Sequence, residues 1–267
     1  MTADDSYELL QVERAANGVV TVRLDHHDRR NVMSAPMTAS WARLMGELRT
    51  DRSVRAVVVT GNGTAFCSGG DKDSIGGRPD ATVAEFREQM MPFYRAWLTI
   101  RDLEVPTIAA INGHAIGAGL CLALAADLRY AAAGARLSVP FNSLGMHPGM
   151  AATWLLPEVA GLPVARELLL TGRTVSGAEA AELGIVNRVF PDGDLAAEVA
   201  AIADSVAACA PIPTQLTKAA LASGGHRTFE AALQWEGLAQ PVTLATADLH
   251  EGLAAAKERR PAHFSGR

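Results

Sequence analysis

The chain has 267 residues, 49% of them apolar and 20% charged, which suits one large globular domain or a core with a small appendage. Its formal net charge of −5 provides no basic field, so nucleic acid and anionic lipid surfaces are excluded as expected partners. The acidic start Met1-Thr2-Ala3-Asp4-Asp5 lacks the pattern of a signal peptide, and Cys67, Cys121 and Cys209 lack metal-ligand spacing. A cytoplasmic protein without a metal is therefore expected.

From the N-terminus the elements read β-β-α. Glu8 to Glu13 and Val19 to Leu24 are predicted strands joined by the Ala15-Ala16-Asn17-Gly18 turn. Pro36 opens a helix whose apolar face is Met37, Trp41, Leu44, Met45 and Leu48. Arg55 to Thr60 is a β-branched run, a buried strand leading into Gly61-Asn62-Gly63. A helix is predicted over Thr82 to Arg101, a strand over Pro106 to Ile111, a helix over Ala118 to Ala126 and a strand over Leu128 to Ala132.

The run from Thr107 to Ala126 is long enough for a membrane span, but Gly113, Gly117 and Gly119 interrupt it and Asp127 and Arg129 close it without aromatic anchors. It reads as strand, loop and helix, with no membrane.

From Pro148 the pattern is mostly helical. Ser176 and Glu179 fit a capping box, with a stop near Gly184 and a last short strand over Val186 to Phe190. Helices follow around Leu195 to Ala208, Thr214 to Ala222, Thr228 to Leu238 and Thr243 to Lys257. Strands alternating with helices and then a helical tail predict an α/β fold, with a core over 1–195 and a helical segment over 196–267.

Chemistry is carried by two glycine-rich turns that follow apolar strands. Phe66-Cys67-Ser68-Gly69-Gly70-Asp71 and Asn112-Gly113-His114-Ala115-Ile116-Gly117-Ala118-Gly119 replace side chains with bare backbone at the strand ends. The N–H of Gly70 and the N–H of Ala118, at a helix start, are candidate donors of an oxyanion hole for a carbonyl gaining negative charge. Each turn alone also reads as a tight packing device.

Through these segments and others, the chain resembles the crotonase (enoyl-CoA hydratase/isomerase) superfamily nearly end to end. Asp28-Arg29-Arg30-Asn31-Val32-Met33 looks like its CoA-contact segment, and Leu144-Gly145-Met146-His147-Pro148-Gly149 its active-site loop. Gly172-Arg173 through Gly184-Ile185-Val186-Asn187 and Glu258-Arg259-Arg260-Pro261 with Phe264 also match its pattern. The resemblance implies a spiral of β-β-α units, a C-terminal trimerisation segment, and a homotrimer or hexamer. It also implies an acyl-CoA thioester held by Gly70 and Ala118, with coenzyme A entering as part of the substrate and no separate cofactor.

Where the family's hydratases carry two glutamates, this chain aligns Cys121 and Phe141, and a third acidic position falls on Gly149. Ordinary hydration is therefore doubtful on resemblance. His147 in the active-site loop is the expected proton carrier, since imidazole titrates near neutrality, although it also sits where it would brace the next helix. Tyr94 lies on the helix that covers the pocket in relatives. Arg29, Arg30, Lys72 and Arg260 are the expected CoA contacts. A non-catalytic acyl-CoA-binding protein is the alternative.

Overall fold

Hairpin, helix and strand follow one another as the apolar pattern requires. In the computed structural model, which describes residues 7–72, 76–222 and 228–267, β1 (Leu10–Arg14) pairs antiparallel with β2 (Val19–Leu24). Helix α1 (Ala35–Thr50) buries Met37, Trp41, Leu44, Met45 and Leu48, the face read from the sequence. Trp41 stacks on Trp97 of α2 (Val83–Leu98) with ring centroids 4.9 Å apart. Each fully buried side chain of this size contributes about 1.5–3 kcal/mol.

The strands β3 (Ala56–Gly61), β5 (Thr107–Ile111) and β7 (Leu128–Ala132) continue the first sheet. Each is followed within a few residues by a short strand of a second sheet: β4 (Ala65–Cys67), β6 (His114–Ile116) and β8 (Arg136–Ser138). The chain therefore steps repeatedly from one sheet to the other, which is the expected spiral. The larger sheet has the order β1-β2-β3-β5-β7-β10, parallel from β2 onward, and the smaller has the order β4-β6-β8-β9. The two-residue β9 (Val175–Ser176) runs antiparallel to β8, and β10 (Arg188–Phe190) closes the large sheet.

Strands β3 and β5 are buried at every position, as central parallel strands covered on both faces should be. The Thr107–Ala126 run is thus divided among β5, β6 and α3 (Ala118–Ala125). Among the described residues no single helix is long and apolar enough to cross a membrane.

Beyond the sheets lie α4 (Ala152–Thr171), α5 (Gly177–Glu182), α6 (Leu195–Ala207), α7 (Pro211–Leu221), α8 (Phe229–Leu244) and α9 (Ala247–Glu258). Helix α4 is kinked at Gly161, whose φ is +77°. Ser176 caps α5 by accepting the Glu179 N–H, but the Glu179 carboxylate goes to Arg173 at 2.6 Å, so only half of the expected capping box forms. A complete box stands instead at Thr82 and Glu85.

Helix α6 buries Leu195, Val199 and Ala203 against the large sheet, so the core layer continues past the 195/196 boundary read from the sequence. Helix α8 runs through Pro241 to Leu244, longer than its pattern to Leu238 suggested. It leaves Phe229, Leu238 and Val242 exposed.

Candidate active site

The two glycine turns come together because β4 and β6 are parallel neighbours, paired through Ala65 with His114 and Cys67 with Ala115. Both turns therefore leave the carboxyl ends of adjacent strands, where ligands collect in open α/β sheets. Gly69 has φ +92°, and a Cβ there would stand 2.6 Å from the Ile116 carbonyl and 3.3 Å from the Ala118 amide. No side chain fits. The Gly69 N–H is turned to the Cys67 sulfur, and its carbonyl accepts the Met33 N–H at 2.9 Å.

The next amide, Gly70, and the first of α3, Ala118, meet no acceptor among the described residues. These two amides, one of them at a helix N-terminus, lie on neighbouring backbone segments and are candidate donors to a carbonyl oxygen.

Two amide side chains, one buried and one partly buried, hold this backbone in place. Asn31, fully buried, accepts the His26 N–H and donates from Nδ2 to the Asn62 and Ala65 carbonyls at 2.9 and 2.8 Å. Asn112 accepts the Gly61 N–H at 2.9 Å and donates to the Gly63 carbonyl at 3.0 Å, tying the β3–β4 and β5–β6 turns together.

Beside these two amides stand the positions aligned with acidic residues. The Phe141 ring lies 3.7 Å from where a Cβ on Gly117 would be, next to the Ala118 donor. Cys121, one turn along α3, is fully buried, and its thiol points to the Gly149 carbonyl with Sγ 3.7 Å from the oxygen. Burial pushes this thiol up to about 12. A Cβ on Gly149 would stand 2.4 Å from the Tyr94 hydroxyl, so the phenol occupies the space an acidic side chain there would need. Tyr94 is half-buried, and desolvation, then Cys121, raise its phenol above the ordinary range.

The sequence profile of the enoyl-CoA hydratase/isomerase family matches residues 14–267. The chain belongs to this family. A protein of Mycobacterium bovis named probable enoyl-CoA hydratase echA12 is 37% identical over 268 residues, covering 96% of this chain and 93% of that one. The human mitochondrial enoyl-CoA hydratase domain-containing protein 2 is 33% identical, covering 94% and 86%. Among solved structures, the enoyl-CoA hydratase of Bacillus anthracis superposes with a TM-score of 0.91 at 32% identity, covering 97% of this chain and all of that one.

In this member of the enoyl-CoA hydratase/isomerase family, the remaining expected site residues are dispersed. His147 is exposed, and its Nδ1 donates to the Pro148 carbonyl at 2.8 Å, which leaves Nε2 of the neutral ring as an acceptor. Arg29 forks across Asp71, with Nη1 and Nη2 at 3.3 and 3.1 Å from its two oxygens. Arg260 is held by Glu251 and Glu258, at 2.6 and 2.7 Å. Lys72 is exposed.

Arg30 stands apart from these pairs. With His114, Arg136 and Ser68 it lines a cleft of about 380 Å³, and neither Arg30 nor Arg136 has a carboxylate partner among the described residues. Arg136 was not picked out from the sequence, because only the pairing of β6 with β8 brings its strand next to His114.

Proposed function

We propose that the protein is an acyl-CoA thioester-processing enzyme that polarises the thioester carbonyl between the amides of Gly70 and Ala118. The observation that carries this reading is the pair of backbone donors at the ends of β4 and β6 that meet no acceptor among the described residues. Donors fixed before the reaction stabilise a developing enolate oxygen without having to reorganise, an effect worth about 2.7–4 kcal/mol for one such donor. Family membership supports acyl-CoA as the substrate class. The Arg30–Arg136 cleft supports a nearby seat for phosphate groups, through charge-assisted hydrogen bonds. The exposed apolar residues of α8 supply a surface for the trimer that the resemblance implies.

Ordinary hydration is disfavoured. General acid–base catalysis contributes about 10²–10⁴-fold per group, and Cys121, Phe141 and Gly149 provide neither an ionisable base nor a carboxylic acid. That same absence favours the second reading, a protein that binds acyl-CoA without turning it over.

The test is infrared spectroscopy of a thioester labelled with ¹³C at its carbonyl, combined with turnover on a panel of acyl-CoAs. Polarisation moves the carbonyl stretch to lower wavenumber on binding, and turnover establishes the enzyme. A shifted stretch without turnover of any panel member leaves the binding-only reading. An acyl-CoA panel that does not bind at all overturns both.

A further inference from the structure

A chain of contacts links the Gly70 amide to the Ala118 amide by way of helix α2. On the Gly70 side, Met33 pairs with Gly70 in a parallel bridge, and the Met33 N–H donates to the Gly69 carbonyl at 2.9 Å. Ser34 follows directly and begins α1 without a side-chain cap. Its carbonyl is held twice instead, by the Thr38 N–H at 2.9 Å and by the Thr38 hydroxyl at 2.8 Å. That hydroxyl in turn accepts the indole N–H of Trp97, on α2, at 3.0 Å.

Trp97 is the only side chain of α2 in the buried core, so the seat of this helix depends on it. Its ring stacks on Trp41, but the Trp41 indole N–H meets no partner among the described residues. Stacked rings can slide over one another, whereas a hydrogen bond is directional. The Thr38 hydroxyl therefore supplies the register of α2 on α1. One turn earlier on α2, the Tyr94 hydroxyl fills the space beside Gly149. The Cys121 thiol faces the Gly149 carbonyl at 3.7 Å, and Cys121 lies one turn along α3 from Ala118. The path is complete.

We propose that Thr38 is a positioning residue of this site. Through Trp97 it fixes where α2 stands over the Gly149 loop, and through Ser34 and Met33 it holds the Gly70 amide at its separation from the Ala118 amide. The proposal rests on the reading of those two amides as the thioester hole. Thr38 acts through its neighbours and makes no contact with the thioester carbonyl. A displacement near 1 Å in such a support costs about 10²-fold in rate, so a single hydroxyl at this junction has leverage on the hole.

The experiment compares the full-length protein with three variants by thermal unfolding, binding of butyryl-CoA labelled with ¹³C at its carbonyl, and the infrared stretch of that carbonyl. Thr38→Val keeps the side-chain shape but removes both hydrogen bonds and leaves the Trp97 N–H buried without an acceptor. It is expected to bind butyryl-CoA, to lose most of the stretch shift, and to lose about 10²-fold in kcat with KM little changed on any acyl-CoA the wild type turns over. Thr38→Ser keeps the hydroxyl and restores the shift. Thr38→Val combined with Trp97→Phe removes donor and acceptor together, so the unfolding temperature recovers while the shift does not. A wild-type stretch in Thr38→Val overturns the proposal, as does a shift that recovers along with stability in the double variant. A wild type that binds butyryl-CoA without any shift removes the hole, and the proposal with it. Failure of the wild type to bind acyl-CoA removes the acyl-CoA reading as well.

Discussion

Gly119 and Cys67 meet backbone to backbone, and a Cβ added to Gly119 would stand 2.2 Å from the Cys67 carbonyl oxygen. This contact sets the distance between α3 and β4, and hence between the Gly70 and Ala118 amides of the proposed hole. Gly119→Ala forces the helix and the strand apart. A displacement near 1 Å in a positioning element costs about 10²-fold in rate. The variant is therefore expected to fold, to lose about 10² in kcat/KM on any acyl-CoA the wild type turns over, and to lose much of the carbonyl stretch shift. An unchanged stretch would mean that α3 does not set the hole.

Solution chemistry of the three cysteines checks the burial of the site. Cys67 and Cys121 are buried, and desolvation pushes both thiols up to about 12, whereas Cys209 is exposed. The thiolate is the reactive species, so native protein treated with a thiol-reactive disulfide near neutral pH labels Cys209 alone. Denatured protein labels all three cysteines. Fast labelling of Cys121 in the native state would open the question of a thiolate in the site.

The approach of the two glycine turns was legible in the sequence because it is a demand on the backbone, and glycine at a strand end states that demand directly. Met37, Trp41 and Leu44 announced their buried face through helical spacing in the same way. The Tyr94–Gly149 contact was not legible. Its partners are far apart in the chain, and their meeting depends on how α2 is seated over α3, a tertiary quantity that no local pattern encodes. Arg29 and Arg260 illustrate the converse limit. Their charge suggested phosphate contacts, and the carboxylates the fold brings near them, Asp71 and Glu251, are a tertiary outcome that no local pattern encodes. Glu179 was claimed by Arg173 for the same reason, which halved a capping box that local spacing predicted in full.

Glu251 organises the chain end. Arg260 and the His263 N–H bind its carboxylate and lower its pKa from the ordinary 4.5 to about 2. Its folded value lies below its unfolded one, so the unfolded tail binds more protons between them. The stabilisation is complete above about 4.5 and is lost as pH falls through that window toward 2. Amide exchange at His263 is expected to lose protection on going from about pH 6 to about pH 3, beyond the change seen for core amides. Glu251→Gln should remove that dependence, and a variant that keeps it would place the titrating group elsewhere.

Restoring carboxylates tests the reading of positions 121 and 141. Cys121 lies one turn from the Ala118 donor, and the Phe141 ring stands beside Gly117, so glutamates at both positions flank the thioester that the hole would hold. One then takes a proton from water while the other supplies one to carbon, and each such group is worth about 10²–10⁴-fold. Cys121→Glu combined with Phe141→Glu is therefore expected to consume crotonyl-CoA by water addition at least about 10²-fold faster than the wild type, followed by loss of the conjugated absorbance. Burial at position 121 works against an ionised carboxylate, and the Tyr94 hydroxyl across Gly149 is the group available to donate to it. Adding Tyr94→Phe to the double variant should then reduce the gained activity. A double variant that folds and binds crotonyl-CoA but adds no water would show that these two positions do not face the reacting carbons in this chain.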